Sequence, residues 1–315
     1  MQKRRVFLRQ AGAFALGSFL LPSCMTGTDK NESEKDSSGT AAGSTAATGG
    51  GNLGPIGVQL WSVKDVLEKD VPGTLQQLAA IGYKEIESYP GEKGHYYGND
   101  PKTFKKMLDD MGLKLVSSHV GSGTKTGKAD GWQQATLLNN FAALADKAAE
   151  AGQTYLTCSW TDESLRGDMK GVADMLNKSG EICKKAGLQF AYHNHDFEFK
   201  KEGNTTLYDY MLDNTDADLV KFEMDIYWVV RGERDPKELF SKYNNRFHLG
   251  HIKDMDKQDK TKNTEIGNGS INFADLIKAG KDAGMKHLIV EQESFTRPSI
   301  ESMKMNYEYL SSLKV

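Results

Sequence analysis

A closed (β/α)8 barrel, an α/β fold in a single domain, is what three observations in the sequence predict. Eight short apolar or β-branched runs recur after residue 52, separated by amphipathic or polar stretches. Five of those stretches stop on a glycine just before the next run, at Ile81-Gly82-Tyr83, Met111-Gly112-Leu113, Ala151-Gly152-Gln153, Ala186-Gly187-Leu188 and Ala283-Gly284-Met285, where a left-handed residue closes a helix. Residues 53–315 come close to the ~250 that such a barrel needs, and near-continuous apolar strands suit an all-parallel sheet covered on both faces. A doubly wound open sheet is the competing architecture, but no Gly-x-Gly-x-x-Gly follows the first run.

In chain order, the first strand is expected over Ile56 to Trp61 and the first helix over Val71 to Ile81. The second strand, Tyr83 to Ser88, leads to a helix over Thr103 to Met111, where Phe104, Met107, Leu108 and Met111 share one face. Leu113 to His119 and the helix Leu137 to Ala151 follow, then Thr154 to Trp160 and the helix Met169 to Ala186. Leu188 to His193 and Leu219 to Ile226 are the fifth and sixth strands, and the helix Pro236 to Tyr243 follows the sixth. Phe247 to Ile252, the helix Phe273 to Ala283 and His287 to Glu291 complete the set.

Ahead of the barrel the texture differs. Residues 1–23 read as an export signal: Lys3, Arg4, Arg5 and Arg9 precede an apolar run from Ala11 to Leu21, too short to cross a bilayer. Arg4-Arg5-Val6-Phe7-Leu8 resembles a twin-arginine signal, and Leu21-Pro22-Ser23-Cys24 resembles a bacterial lipobox, which implies cleavage before Cys24 and its acylation. The alternative is a plain secretory signal in which Cys24 is incidental. Residues 24–52 are dominated by Gly, Ser, Thr, Ala and charged residues, cannot offset their ordering entropy, and are expected to be a disordered tether with a reach of roughly 29 Å. The expectation is a periplasmic or cell-surface lipoprotein that meets the membrane only through its lipid.

Charge narrows the partners. With 40 Lys+Arg against 43 Asp+Glu and a net charge of −3, no basic surplus exists to hold polyphosphate, so nucleic acid is not an expected partner. Three cysteines cannot make a disulfide framework, and Cys158 and Cys183 read as small buried hydrophobes.

Function in such a barrel sits where strands end. The last four strands each end on two polar residues spaced i, i+2: His193 and His195, Glu223 and Asp225, His251 and Lys253, Glu291 and Glu293. Period two puts both members of a pair on one side of a strand. Unpaired ionisable groups buried in four adjacent strands would be very costly, and one divalent cation among them removes the cost. The competing explanation is that each residue caps a helix or makes a surface ion pair.

Tyr192-His193-Asn194-His195-Asp196-Phe197-Glu198-Phe199, Glu223-Met224-Asp225-Ile226-Tyr227-Trp228, Gly250-His251-Ile252-Lys253-Asp254 and Val290-Glu291-Gln292 resemble the xylose-isomerase-like TIM barrels, the sugar isomerase/epimerase and endonuclease-IV superfamily. The opening Ile56-Gly57-Val58-Gln59-Leu60-Trp61-Ser62 matches as well. The resemblance implies one divalent ion, Mn, Co, Mg or Zn, with Asp225, His251 and Glu291 as ligands. His193 stands where many members have Glu and is kept as the fourth ligand, with His195 as its competitor.

It also implies proton abstraction beside a sugar carbonyl held by the ion, with Glu291 as one acid/base and an imidazole, His195, as the other. The substrate is then a small carbohydrate and the activity that of an isomerase or epimerase. The alternatives are β-elimination from a 3-keto-glycoside on the same site and non-catalytic sugar binding; an abasic-site endonuclease is disfavoured by acidity and export. Lys253 is expected to hold a substrate oxygen, unless it pairs with Asp254 or Glu293. His119 and Trp160, at strand ends, and Glu198 and Trp228, in following loops, are expected sugar contacts, against packing or uncommitted charge. Glu223 lies one pleat deeper than Asp225 and is expected to orient a ligand. Oligomeric state is left open.

Overall fold

A computed structural model describes residues 53–127 and 135–315. The expected export signal, the acylated Cys24 and the tether over residues 24–52 lie outside the described residues. Eight strands close a barrel: β1 Ile56–Gln59, β2 Glu85–Ser88, β3 Lys114–Gly121, β4 Tyr155–Trp160, β5 Gln189–His193, β6 Val220–Asp225, β7 Phe247–Ile252 and β8 His287–Val290. Each pairs in parallel with its neighbours in the chain, and β1 against β8 completes the ring. The helices longer than one turn are α1 Val71–Ile81, α2 Pro101–Asp110, α3 Phe141–Glu150, α4 Met169–Lys185, α5 Leu207–Asn214, α6 Ile226–Arg231, α7 Pro236–Lys242, α8 Phe273–Asp282 and α9 Ser299–Ser312.

The glycine stops do what the sequence suggests: Gly82, Gly112, Gly152, Gly187 and Gly284 all have positive φ, at 128, 69, 72, 80 and 98°. Helix starts follow the same local chemistry, with the Asp70, Asp100, Asp168 and Asp235 carboxylates each accepting a first-turn backbone N–H.

Three helices were not expected. Helix α5 is eight residues long, too short for a clear period, although Leu207, Tyr208, Met211 and Leu212 are buried. Helix α6 begins on Ile226, the last residue expected in the sixth strand; the Asp225 side chain accepts the Trp228 N–H and ends the strand one residue earlier. Helix α9 buries Ser302 and Asn306 beside Met303 and Leu310, so its inner face carries little hydrophobic periodicity. The first strand stops at Gln59 rather than Trp61, where the Gln59 side-chain oxygen accepts the Trp61 N–H and a 3-10 turn over Leu60–Val63 begins.

Inside the ring, Val116, Tyr155, Ala191, Leu249 and Ile289 form a small apolar cluster of their own. Two residues further along the chain lie His193, His251 and Glu291. Period two thus sets a polar layer on an apolar floor.

Candidate functional site

The polar layer is built from the ends of six strands. Strand β2 contributes Glu87, β3 His119, β5 His193, β6 Glu223 and Asp225, and β7 His251, while Glu291 follows β8 directly. Each is less than a tenth exposed, and Glu87, Glu223, Asp225 and His251 are fully buried. His195, Lys253 and Glu293 lie just past their strands rather than within them.

The contacts form two tiers. In the deeper one, Glu87 Oε1 accepts from Gln59 Nε2 at 2.8 Å and faces His251 Nε2 at 2.7 Å and His119 Nε2 at 3.0 Å. Glu223 Oε2 faces His119 Nε2 at 2.9 Å, His193 Nδ1 at 3.1 Å and His251 Nε2 at 3.3 Å. In the outer tier His251 Nδ1 lies 3.2 Å from Glu291 Oε2 and 3.9 Å from Asp225 Oδ2. Lys253, fully buried, reaches Glu291 Oε2 at 3.0 Å, Glu293 Oε1 at 2.7 Å and Asp225 Oδ2 at 3.6 Å.

So many buried charges shift one another. Burial pushes Glu291 up, but Lys253 and His251 outweigh it and hold the carboxyl well below its usual range. Burial raises Asp225 to about 6 despite Lys253 and His251, and raises Glu223 to about 7 with help from Glu87. His195 is lowered to about 3 by burial and then by Lys253, so its ring is neutral.

One atom from each of His193, Asp225, His251 and Glu291 lies within 4.8 Å of the others, and the same holds for His119, His193, Glu223 and His251. Two imidazoles and two carboxylates are a donor set for a divalent transition metal. Asp225 Oδ2 is buried and accepts no hydrogen bond, an expensive arrangement that a bound cation would relieve. The residues present therefore fit such an ion.

A cavity of about 350 Å³ opens over this layer and reaches His119, His193, His195 and Glu291. Its walls include Trp61, Tyr89 and Trp160, and Trp160 is 42% exposed, with Arg166 against one side and the His195 ring edge-on to it. Two larger grooves, of about 510 and 480 Å³, contain none of these residues.

Of the expected sugar contacts, His119 and Trp160 line the cavity, although the His119 Nε2 is turned down to Glu87 and Glu223. Glu198 and Trp228 stand behind it. Glu198 is fully buried, accepting the Tyr192 O–H at 2.8 Å and the His195 backbone N–H at 2.9 Å. The Trp228 ring packs against His195 and beside Lys253. Lys253 pairs with Glu293 as one of its two expected alternatives has it, and with Glu291 and Asp225 as well; Asp254 instead accepts the backbone N–H groups of Met255, Gly267, Gly269 and Ile271.

Glu87 and Gln59 are the residues that reading strand ends missed. Glu85-Ile86-Glu87 has the same i, i+2 spacing as the four later pairs. That signal was present, on a strand of only four residues.

Known proteins resemble this chain in sequence and fold. Residues 75–313 match a family described as the xylose isomerase-like TIM barrel. A solved structure named sugar phosphate isomerase/epimerase, from Parabacteroides distasonis, is 32% identical with a TM-score of 0.69, the match covering 85% of this chain and 96% of that one. A protein named inosose dehydratase, from Lacticaseibacillus casei, is 27% identical over 76% of this chain and 88% of its own length. A 3-keto-D-glucoside 4-epimerase from E. coli shares the fold, with a TM-score of 0.60 at 15% identity, over 81% of this chain and 98% of that one.

Proposed function

The chain belongs to the xylose isomerase-like TIM barrel family, and from that premise we propose that it is a divalent-metal-dependent sugar isomerase or epimerase. The observation that carries this reading is the convergence of His193, Asp225, His251 and Glu291 within 4.8 Å of one another beneath an aromatic-walled cavity. A divalent ion held by that set would polarise the sugar carbonyl and offset the charge that grows on its oxygen as the neighbouring proton leaves. Glu291, held ionised by Lys253 and His251, is the base that takes the proton. Lys253 keeps that carboxylate in place through a 3.0 Å contact. His195 is a neutral imidazole at the cavity whose Nδ1 is buried without a partner, and it serves as the second acid/base. Return of a proton to the opposite face of the same carbon gives an epimer, and return to the neighbouring carbon gives an isomer. Trp61, Tyr89 and Trp160 offer aromatic faces to the C–H edges of a sugar ring.

A second reading is β-elimination, favoured by the relatives named inosose dehydratase. The same proton goes to Glu291, and the carboxylic acid so formed passes it to the hydroxyl or glycosidic oxygen that leaves the next carbon, giving a dehydratase or a 3-keto-glycoside lyase, with Glu291 again ionised. Incubation with free ketoses and with a 3-keto-glucoside in deuterated water, followed by NMR, separates the two. Deuterium at carbon with the skeleton intact is the expected result, and release of water or aglycone selects the second reading. Glu291→Gln is expected to cut turnover about 10²–10⁴-fold. If neither reaction occurs and Glu291→Gln alters only sugar affinity, the protein binds sugar without transforming it.

A further inference from the structure

Beside the sugar cavity lies a second one of about 480 Å³, and Pro90 lines both. It runs between the loop that follows β2 and helix α3, and the reaction proposed above uses none of its polar groups. Asn140, Ala143, Leu144 and Lys147 face it along one side of α3, as the i, i+3, i+4 spacing of a helix requires. Asn140 caps the start of the helix with a left-handed φ of 56°, and its side chain makes no cap bond. The N–H groups of Phe141, Ala142 and Ala143 therefore have no partner among the described residues, and the positive end of the helix dipole lies at the cavity.

The opposite wall supplies an independent feature. His95 is only 8% exposed and lines the cavity. Its Nε2 donates to the His119 carbonyl oxygen at 3.0 Å, and a carbonyl can only accept, so that nitrogen carries the ring hydrogen. Burial, joined by the charge of Lys147, outweighs this bond and lowers the His95 pKa to about 4, so the ring is neutral. Nδ1 is left as a lone pair with no partner among the described residues. Such an atom accepts from a hydroxyl and repels a bare anion. Helical side chains lean toward the N-terminus of their helix, which brings the Lys147 ammonium back toward Asn140. Neither Lys147 nor Lys93, on the loop, has a carboxylate partner. Asp100 is the acidic residue of the wall, and its carboxylate is committed to α2, accepting the Thr103 N–H at 3.0 Å and O–H at 2.6 Å.

We infer that this cavity binds a small anion that also carries hydroxyl groups, of the sugar-acid or sugar-phosphate class. The charged group sits between the start of α3 and Lys147, and a hydroxyl donates to His95 Nδ1. The inference stands apart from the metal-dependent reading, because none of these side chains belongs to the polar layer.

The test is calorimetric titration of the full chain with D-glucuronate, D-glucose 6-phosphate, D-glucose and acetate, for wild type, Lys147→Gln, Ala143→Leu and Trp160→Ala. Glucuronate or glucose 6-phosphate is expected to bind at least about tenfold tighter than glucose, the worth of one hydrogen bond to a charged group. Acetate has no hydroxyl for His95 and is expected to bind about fivefold weaker than glucuronate. Lys147→Gln is expected to weaken the anion about three- to tenfold. Ala143→Leu, which fills the cavity from an exposed helical position, is expected to abolish its binding, and Trp160→Ala, in the sugar cavity, to leave it unchanged. Whichever anion binds with that pattern identifies the charged group as carboxylate or phosphate. Glucose bound as tightly as either anion overturns the inference, as does a wild type that binds neither anion. Loss of the anion in Trp160→Ala but not in Ala143→Leu places it over the polar layer and also overturns the inference. Acetate as tight as a bound glucuronate removes the role of His95. Should Ala143→Leu fail to fold, Lys147→Gln decides, and an affinity equal to that of wild type overturns the inference.

Discussion

The carboxyl of Glu198 is buried where desolvation outweighs the hydrogen bonds from Tyr192 and from the His195 N–H, and its pKa rises to about 7. The fold therefore favours the protonated form. Its contribution to stability is complete below the unfolded-chain value near 4.3, falls as pH rises, and is gone above about 7, a loss on the order of 3–4 kcal/mol. Gln imitates the protonated state, because its NH₂ can donate to the Tyr192 oxygen while its carbonyl accepts from His195. Glu198→Gln is thus expected to flatten the decline in unfolding free energy between pH 4.5 and 7, measured by urea titration at several pH values; an unchanged slope would refute the assignment. From sequence alone Glu198 reads as one loop charge among many, and nothing in its spacing shows that it faces Tyr192 rather than sugar. Glu87 was hidden for a related reason, since its imidazole partners come from other strands, His119 from the next and His251 from one 164 residues on.

Elements whose character is set locally were legible. Strands and helices bounded by glycine stops and Asp caps matched their expected places to within a few residues, because a left-handed cap and a capping carboxylate act over a single turn. Helix α9 was not legible. Its polar inner residues are bought by partners elsewhere: Asn306 donates to Gln292 and accepts the Ile266 N–H, and Ser302 donates to Glu265. The join between α4 and β6 shows a constraint that helix propensity would misjudge. A Cβ on Gly180 would stand 2.7 Å from the Leu219 carbonyl oxygen and 2.8 Å from its Cβ, so the helix lies almost on the chain entering β6. Gly180→Ala is expected to destabilise by about 1–3 kcal/mol through overpacking, although Ala favours a helix by about 1 kcal/mol. A variant as stable as wild type in thermal unfolding would contradict this.

Across the whole barrel, the group His193, Asp225, His251 and Glu291 draws one side chain from each of four consecutive strand ends, β5 to β8. Any ion bound there binds the closed ring and not the open chain, so it must stabilise the fold by mass action. Mn²⁺ at about a hundred times its dissociation constant is expected to add about 2.7 kcal/mol, seen as a calorimetric Tm that rises with metal, falls with chelator and loses the response in Asp225→Asn. Equal Tm values with and without ion would count against the site.

The order of eight strands, the helix stops and the crowd of polar residues at the last strand ends followed from the sequence by itself, because they depend on periods of two and 3.6 residues and on single-turn caps. Only the closed ring decided which of those residues meet. Glu87 beneath His251 and Lys253 between Asp225 and Glu293 are contacts across strands, set by barrel closure and by the need to pair every buried charge, and no local pattern encodes them.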